Sequence, residues 1–124
     1  MIQKVNLAEK FRLIPEPWSP RIAGELNDSY VKLVKLEGEF VWHHHEAEDE
    51  LFLVIKGRLT IKLRDREIQL EQGEFVIIPK GVEHLPAAGE EAWVVLLEPK
   101  STVNTGSAGG ERTRGDEWIV TSGS

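Results

Sequence analysis

From residue 22 to residue 98 apolar side chains recur at every second position, and turn-forming residues interrupt them every eight to ten residues. That period is the signature of strands with one buried face, and the spacing leaves little room for helices. It predicts strands over 22–26, 30–36, 39–45, 51–56, 59–64, 67–70, 75–78, 82–86 and 93–98. Asn27-Asp28 and Lys56-Gly57 fit tight hairpins, Arg64-Asp65-Arg66 a short reversal, and Ile78-Pro79-Lys80-Gly81 a type I turn with Pro second and Gly fourth. The chain therefore reads as all-β and antiparallel, a barrel or sandwich.

The segment Leu51-Phe52-Leu53-Val54-Ile55 is apolar on both faces. One face would fill the barrel, and the other would meet a second layer, a covering arm or another subunit. Upstream, Asn6 and Glu9 form a capping pair for one helical turn over 7–11, and Pro15, Pro17 and Pro20 forbid regular structure up to residue 22. Residues 1–21 thus form an arm, anchored by Phe11 and Trp18, on a barrel of residues 22–98. Beyond Pro99 the chain turns rich in Ser, Thr and Gly. The apolar triplet Trp118-Ile119-Val120 favours a docked extension over a free tail, and Asn104-Thr105-Gly106 reads as a turn that helps to dock it. One domain of residues 1–124 is expected.

The 124 residues are enough to bury one core. A net charge of −6 with scattered Lys and Arg argues against a nucleic-acid partner. The absence of cysteine excludes disulfides, thiolate metal sites and thiol nucleophiles. With neither a signal-peptide core nor an apolar run of transmembrane length, a cytoplasmic protein with no membrane partner is expected.

All four histidines fall in two places, His43-His44-His45 and His84. On an extended chain His43 and His45 share one face and could chelate one ion, while His44 points the other way. Glu50 opens the next strand, where a turn can fold it back beside the pair, and His84 follows the turn at 79–81. Glu46, Glu48 and Asp49 read as a solvated acidic turn. Imidazole and carboxylate donors suit several first-row divalent metals.

Gly38, His43-x-His45, Glu50 and Gly57, followed by Gly73, Pro79-x-Gly81 and His84, resemble the two conserved motifs of the cupin superfamily. The likeness is to small single-domain cupins, similar in outline to mannose-6-phosphate-isomerase-like barrels. It implies a double-stranded β-helix, or jelly roll. It also implies that His43, His45, Glu50 and His84 together hold one divalent ion (Fe, Mn, Ni or Zn), which singles out Glu50 among the neighbouring carboxylates. The sequence departs from the pattern twice: Gly38 precedes His43 by one residue fewer than usual, and Ala88 stands where Asn is frequent.

Four protein ligands would leave a six-coordinate ion two open positions. With no phosphate-cradling loop and no acid or base beyond the ligands, chemistry has to come from the metal, with Glu50 both a ligand and the one candidate catalytic residue. Phe52, Val54, Phe75 and Ile77 are candidate walls of an apolar pocket. The reading is a metal-dependent dioxygenase or isomerase acting on a small organic or sugar-like molecule. A non-catalytic small-molecule or metal sensor, or a barrel locked by a structural metal, are the alternatives. A homodimer is expected from the doubly apolar strand and the arm.

Overall fold

The computed structural model describes residues 2–119. One short helix and seven strands follow in order: α1 (Leu7–Arg12), β1 (Arg21–Leu26), β2 (Ser29–Glu39), β3 (Glu50–Lys56), β4 (Leu59–Lys62), β5 (Glu67–Leu70), β6 (Phe75–Ile78) and β7 (Leu85–Pro99). All strand pairs are antiparallel. The architecture is the all-β jelly roll. Among the described residues no helix is long and apolar enough to cross a membrane.

β7 joins the whole. It pairs with β2 along almost its full length, with β3 through residues 93–97, and with β4 through residues 85–87. The two strands expected over 82–86 and 93–98 are thus one strand, because Gly89 and its acidic neighbours stay extended instead of turning. β2 likewise runs on to Glu39, with a bulge between Leu36 and Gly38. Gly38 holds a φ of 82° there, a conformation a β-carbon would strain. The chain from Phe40 to Asp49 is then irregular apart from one bridge of His43 to His84, so the strand expected over 39–45 does not form as a unit.

Two turns match their expected chemistry. Asn27-Asp28 closes the β1–β2 hairpin with Asn27 at a φ of 52°, and Leu63 N–H bonds the Arg66 carbonyl in the β4–β5 reversal. Two do not. Lys56-Gly57 is no hairpin, since β3 and β4 pair with different parts of β7 and not with each other. A β-carbon on Gly57 would lie 3.1 Å from the Glu91 carbonyl, so this corner needs glycine for close approach as well as for its φ of 85°. The proline turn sits one residue later than expected. Val82 N–H bonds the Pro79 carbonyl, and Gly81, third in the turn at a φ of 83°, gives it type II character.

Inside the barrel Val34, Leu36, Phe52, Val54, Leu59, Ile61, Leu70, Ile78, Val94 and Leu96 form one core. On the outer face of the sheet a second core gathers Phe11 and Ile14 of the arm over Leu33 and Val95. The arm therefore covers part of the outer face of β3, with Leu53 and Ile55 packed against this cluster. α1 is fixed by the expected cap, with the Asn6 carboxamide oxygen accepting from Glu9 N–H at 3.0 Å. Phe75 and Ile77, expected as pocket walls, point outward at 59% and 51% exposure. A one-residue slip of register exchanges the faces of a strand, and Val76 and Ile78 take the inward places.

Phe11 is fully buried and stacks on Trp93 at 4.9 Å between ring centroids. Phe11→Ala should cost about 3–5 kcal/mol, as deletion of a buried aromatic does, read as a lower urea midpoint at unchanged slope. An unchanged midpoint would show that the arm contributes nothing to the fold.

Candidate metal centre

The site grows from one backbone exchange. His43 N–H bonds the His84 carbonyl at 3.1 Å, and His84 N–H bonds the His43 carbonyl at 2.9 Å. Opposed residues of an antiparallel pair put their side chains on the same face. The exchange therefore brings together two imidazoles forty-one residues apart in the chain, with ring centroids at 4.3 Å. His45 follows His43 by two and faces the same way. Its carbonyl accepts from Gly81 N–H at 2.8 Å, which ties the proline turn to the histidine segment. Asp49 strengthens that tie by accepting from Lys80 N–H at 2.8 Å, a bracing role that a merely solvated acidic turn would not give it. Glu50 enters as the first residue of β3, paired with Ile78.

All four sequence-identified residues thus meet. His43, His45, Glu50 and His84 are at most 4% exposed, and their donor atoms lie within 4.8 Å of one another. Glu50 Oε1 is 3.4 Å from His45 Nε2 and 3.5 Å from His84 Nε2. Ligands about 2.0–2.2 Å from one small ion stand roughly 3–4.4 Å apart, so the cluster has nearly the span that such an ion requires. Three of these atoms, His45 Nε2, His84 Nε2 and Glu50 Oε1, are buried with no hydrogen-bond partner among the described residues. Unpartnered buried polar atoms are costly, and a cation at their common centre would satisfy all three.

The outer ring nitrogens set the tautomers. The carbonyl of Val41 accepts from His43 Nδ1 at 2.9 Å, and that of Val82 accepts from His84 Nδ1 at 2.9 Å. A carbonyl can only accept, so Nδ1 carries the proton and each Nε2 presents its lone pair to the centre. Burial, with the His84 ring close by, lowers the His43 pKa to about 4, which keeps that ring neutral and ready to ligate at neutral pH. Burial alone would raise the Glu50 pKa, but its neighbours Glu98, His45 and His84 outweigh it and hold the carboxyl well below its usual range. These residues could hold a metal ion.

His44 stays out of the cluster. Its Nδ1 accepts from Ser107 Oγ at 3.0 Å, and its Nε2 bonds Glu46 at 3.0 Å. The Asn104-Thr105-Gly106 segment is a turn laid over the histidine loop. Asn104 binds the Arg112 carbonyl and Arg114 N–H, Thr105 bonds Thr113, and a β-carbon on Gly106 would stand 2.3 Å from the His44 carbonyl. Residues 116–119 continue this strap across β1, where Arg21 and Glu117 pair at 2.8 Å and Ile22 bridges Trp118. Val120 lies outside the described residues.

Beside the quartet a cavity offers water-sized molecules about 40 Å³. Apart from His43 and Glu50, its walls include Trp18, Phe40, Phe52, Leu96, Asn104 and Glu98. Trp18, at a φ of 64°, is stacked on Phe40 and clamped by its indole N–H on the Glu37 carbonyl. Glu98 and its partner Lys32 were not expected. They are 2% and 3% exposed and pair at 3.1 Å. Their signal lies in the period-two pattern, since Glu98 falls in phase with inward Val94 and Leu96, and Lys32 with inward Val34 and Leu36.

Residues 30–98 match the Cupin_2 family of cupin domains, and the chain belongs to that family. It is 52% identical to a cupin-2 domain protein of Shewanella frigidimarina, whose crystal structure superposes with a TM-score of 0.76 over 77% of this chain and 93% of that one. A protein of Neisseria meningitidis is similar at 28% identity and a TM-score of 0.72, over 78% and 99% of the two chains. The uncharacterized protein YdbB of Bacillus subtilis (strain 168) is 44% identical over 48% of this chain and 54% of its own length. The chain spans about half the length of the curated relatives it matches.

The lowered pKa fixes a sign for acid stability of the metal-free protein. Between pH 6.5 and about 4 the unfolded His43 binds a proton that the folded one refuses, so stability falls as pH falls through this window. The loss below pH 4 should be on the order of 3 kcal/mol, and His43→Gln should flatten the slope of stability against pH. An identical slope in that variant would exclude His43 as its source.

Proposed function

We propose that this cupin binds one divalent metal ion through His43, His45, Glu50 and His84 and uses it as a dioxygenase or isomerase of a small organic or sugar-like molecule. The supporting observation is the convergence of four buried donors, three of them unpartnered among the described residues, of which His43 and Glu50 line a largely apolar cavity. A purely structural ion has no need of an adjoining cavity. When bound, the metal supplies Lewis acidity or redox chemistry. The chain supplies neutral, pre-oriented imidazoles and aromatic walls that exclude water. Room for about 40 Å³ admits about three waters or a few-atom fragment, and because the cavity is half open a larger substrate can extend out of it past Trp18 and Asn104. Elemental analysis of purified protein should find about one equivalent of Fe, Mn, Ni or Zn, lost in His84→Ala. Saturating metal should raise wild-type stability by about 4 kcal/mol at a thousandfold excess over Kd. Oxygen uptake with an enol, thiol or phenol, or turnover of an aldose–ketose pair, would support catalysis. Tight zinc with no exchangeable position would favour the structural reading, and ligand binding without turnover the sensor.

Pairing of two copies is the second part of the proposal. The apolar outer face continues beyond the arm onto the edge strand β6, where Phe75 and Ile77 oppose Leu53 and Leu51. A two-fold axis would set this self-complementary patch against itself. Light scattering should report a dimer that Ile77→Lys dissociates, and a wild-type monomer would overturn the pairing.

A further inference from the structure

The inward-facing charges of the barrel lie at the same end as the quartet. Along β7 the inward positions read Ala92, Val94, Leu96, Glu98, and along β2 they read Lys32, Val34, Leu36; Lys32 opposes Leu96 and Glu98 opposes Tyr30, so the base and the acid meet diagonally on adjacent strands. Their ion pair of 3.1 Å is almost wholly enclosed. Lys32 reaches a second carboxylate as well, Asp116 of the C-terminal strap, at 2.7 Å. On its other side the Glu98 carboxyl stands next to that of Glu50, and both line the same cavity. A continuous line of contacts thus runs from strap to metal ligand: Asp116, Lys32, Glu98, Glu50.

Glu50 needs such a support. Its Oε1 faces two imidazoles at 3.4 and 3.5 Å and has no other partner among the described residues. Unlike the backbone-tied rings of His43 and His84, its carboxyl has no main-chain bond to fix its rotation. Nor does Lys32 require Glu98 merely for neutralisation, since Asp116 already lies closer. We infer that Glu98, braced by Lys32, is a positioning residue that turns the Glu50 carboxyl so that Oε1 meets the ion shared with His43, His45 and His84. The inference rests on the metal reading above. Outer partners of metal ligands commonly contribute ten- to a hundredfold to affinity.

The test uses the full chain, Co(II) as the probe and two readouts: Kd by titration, and the visible spectrum, which reports coordination geometry. Glu98→Gln keeps an N–H for Glu50 and a carbonyl for Lys32, and should bind Co(II) within about threefold of wild type with the same spectrum. Glu98→Met keeps the volume but neither polar group, and should bind about ten- to a hundredfold more weakly with an altered spectrum. The metal-free melting temperature of each variant separates positioning from folding, since a merely structural Glu98 would lower that temperature and leave the spectrum of the loaded protein unchanged. If Glu98→Met does not fold, Lys32→Met removes the brace instead, and a weaker, spectrally altered Co(II) complex is again expected. Wild-type affinity and spectrum in a folded Glu98→Met, or in Lys32→Met where Glu98→Met does not fold, would overturn the inference and leave the metal site standing. Failure of wild type to bind Co(II) at the quartet would remove the metal reading itself.

Discussion

The sharing of β7 among three partner strands is the constraint from which the rest of the structure follows. A strand of fifteen residues cannot pair flat with β2, β3 and β4 at once, so the sheet has to curl. Glycines stand where the curl is tightest: Gly38 in the bulge opposite Ala88, and Gly57 against the backbone at Glu91 and Ala92. The curl closes the inner face over apolar side chains and brings the segments before β3 and before β7 to one end. The His43–His84 exchange forms there, and with it the beginnings of a site.

That end is where the fold accepts unfavourable burial. Three imidazoles, two carboxyls and an ammonium are removed from water there, while the opposite end is packed with Val, Leu and Ile. Each such group costs free energy unless it is paired. Burial pushes the Glu98 carboxyl well above its usual pKa, with Glu50 adding to the rise, whereas Glu98 and Asp116 outweigh burial at Lys32 and hold that ammonium above its own. The local accounting closes for Lys32 and for the outer nitrogens of His43 and His84. It stays open at the inward atoms of His45, His84 and Glu50. Glu98 Oε2 and His45 Nδ1 are unpartnered there as well among the described residues, so most of the unsatisfied buried groups gather at the quartet and its immediate support, in residues that could hold a metal ion.

Period-two alternation made most of the strands and the exclusion of His44 legible, and the resemblance to the cupin motifs made the quartet legible by singling out Glu50. Register across loops was not legible. Phe75 and Ile77 alternate correctly, but alternation does not say which face is inward, and in the register that pairs β6 with β3 they face out. Lys56-Gly57 has the residues of a hairpin, yet its strands separate because β4 finds Leu85–Ala87 and β3 finds a later part of β7. That choice is made by long-range packing, which turn propensity does not contain. Glu98 and Lys32 escaped for a different reason: an inward charge looks like a break in the pattern until its partner on the neighbouring strand is known.

The strap then acquires a meaning that its composition conceals. A segment rich in Ser, Thr and Gly would ordinarily lack the apolar surface to repay its ordering entropy. Here Ile119 adds an apolar contact to the outer core, and the rest of the docking is polar, through Asn104, Thr105, Ser107, Asp116 and Glu117, with several of these contacts ending on residues that support the quartet. Ser107 holds the backbone of His44, between two candidate ligands, and Asp116 holds Lys32, which holds Glu98. Order in the strap and order at the centre are therefore linked by thermodynamic necessity. An ion that fixes the four donors also fixes the backbone on which the strap docks, and a docked strap lowers the entropy cost of binding the ion.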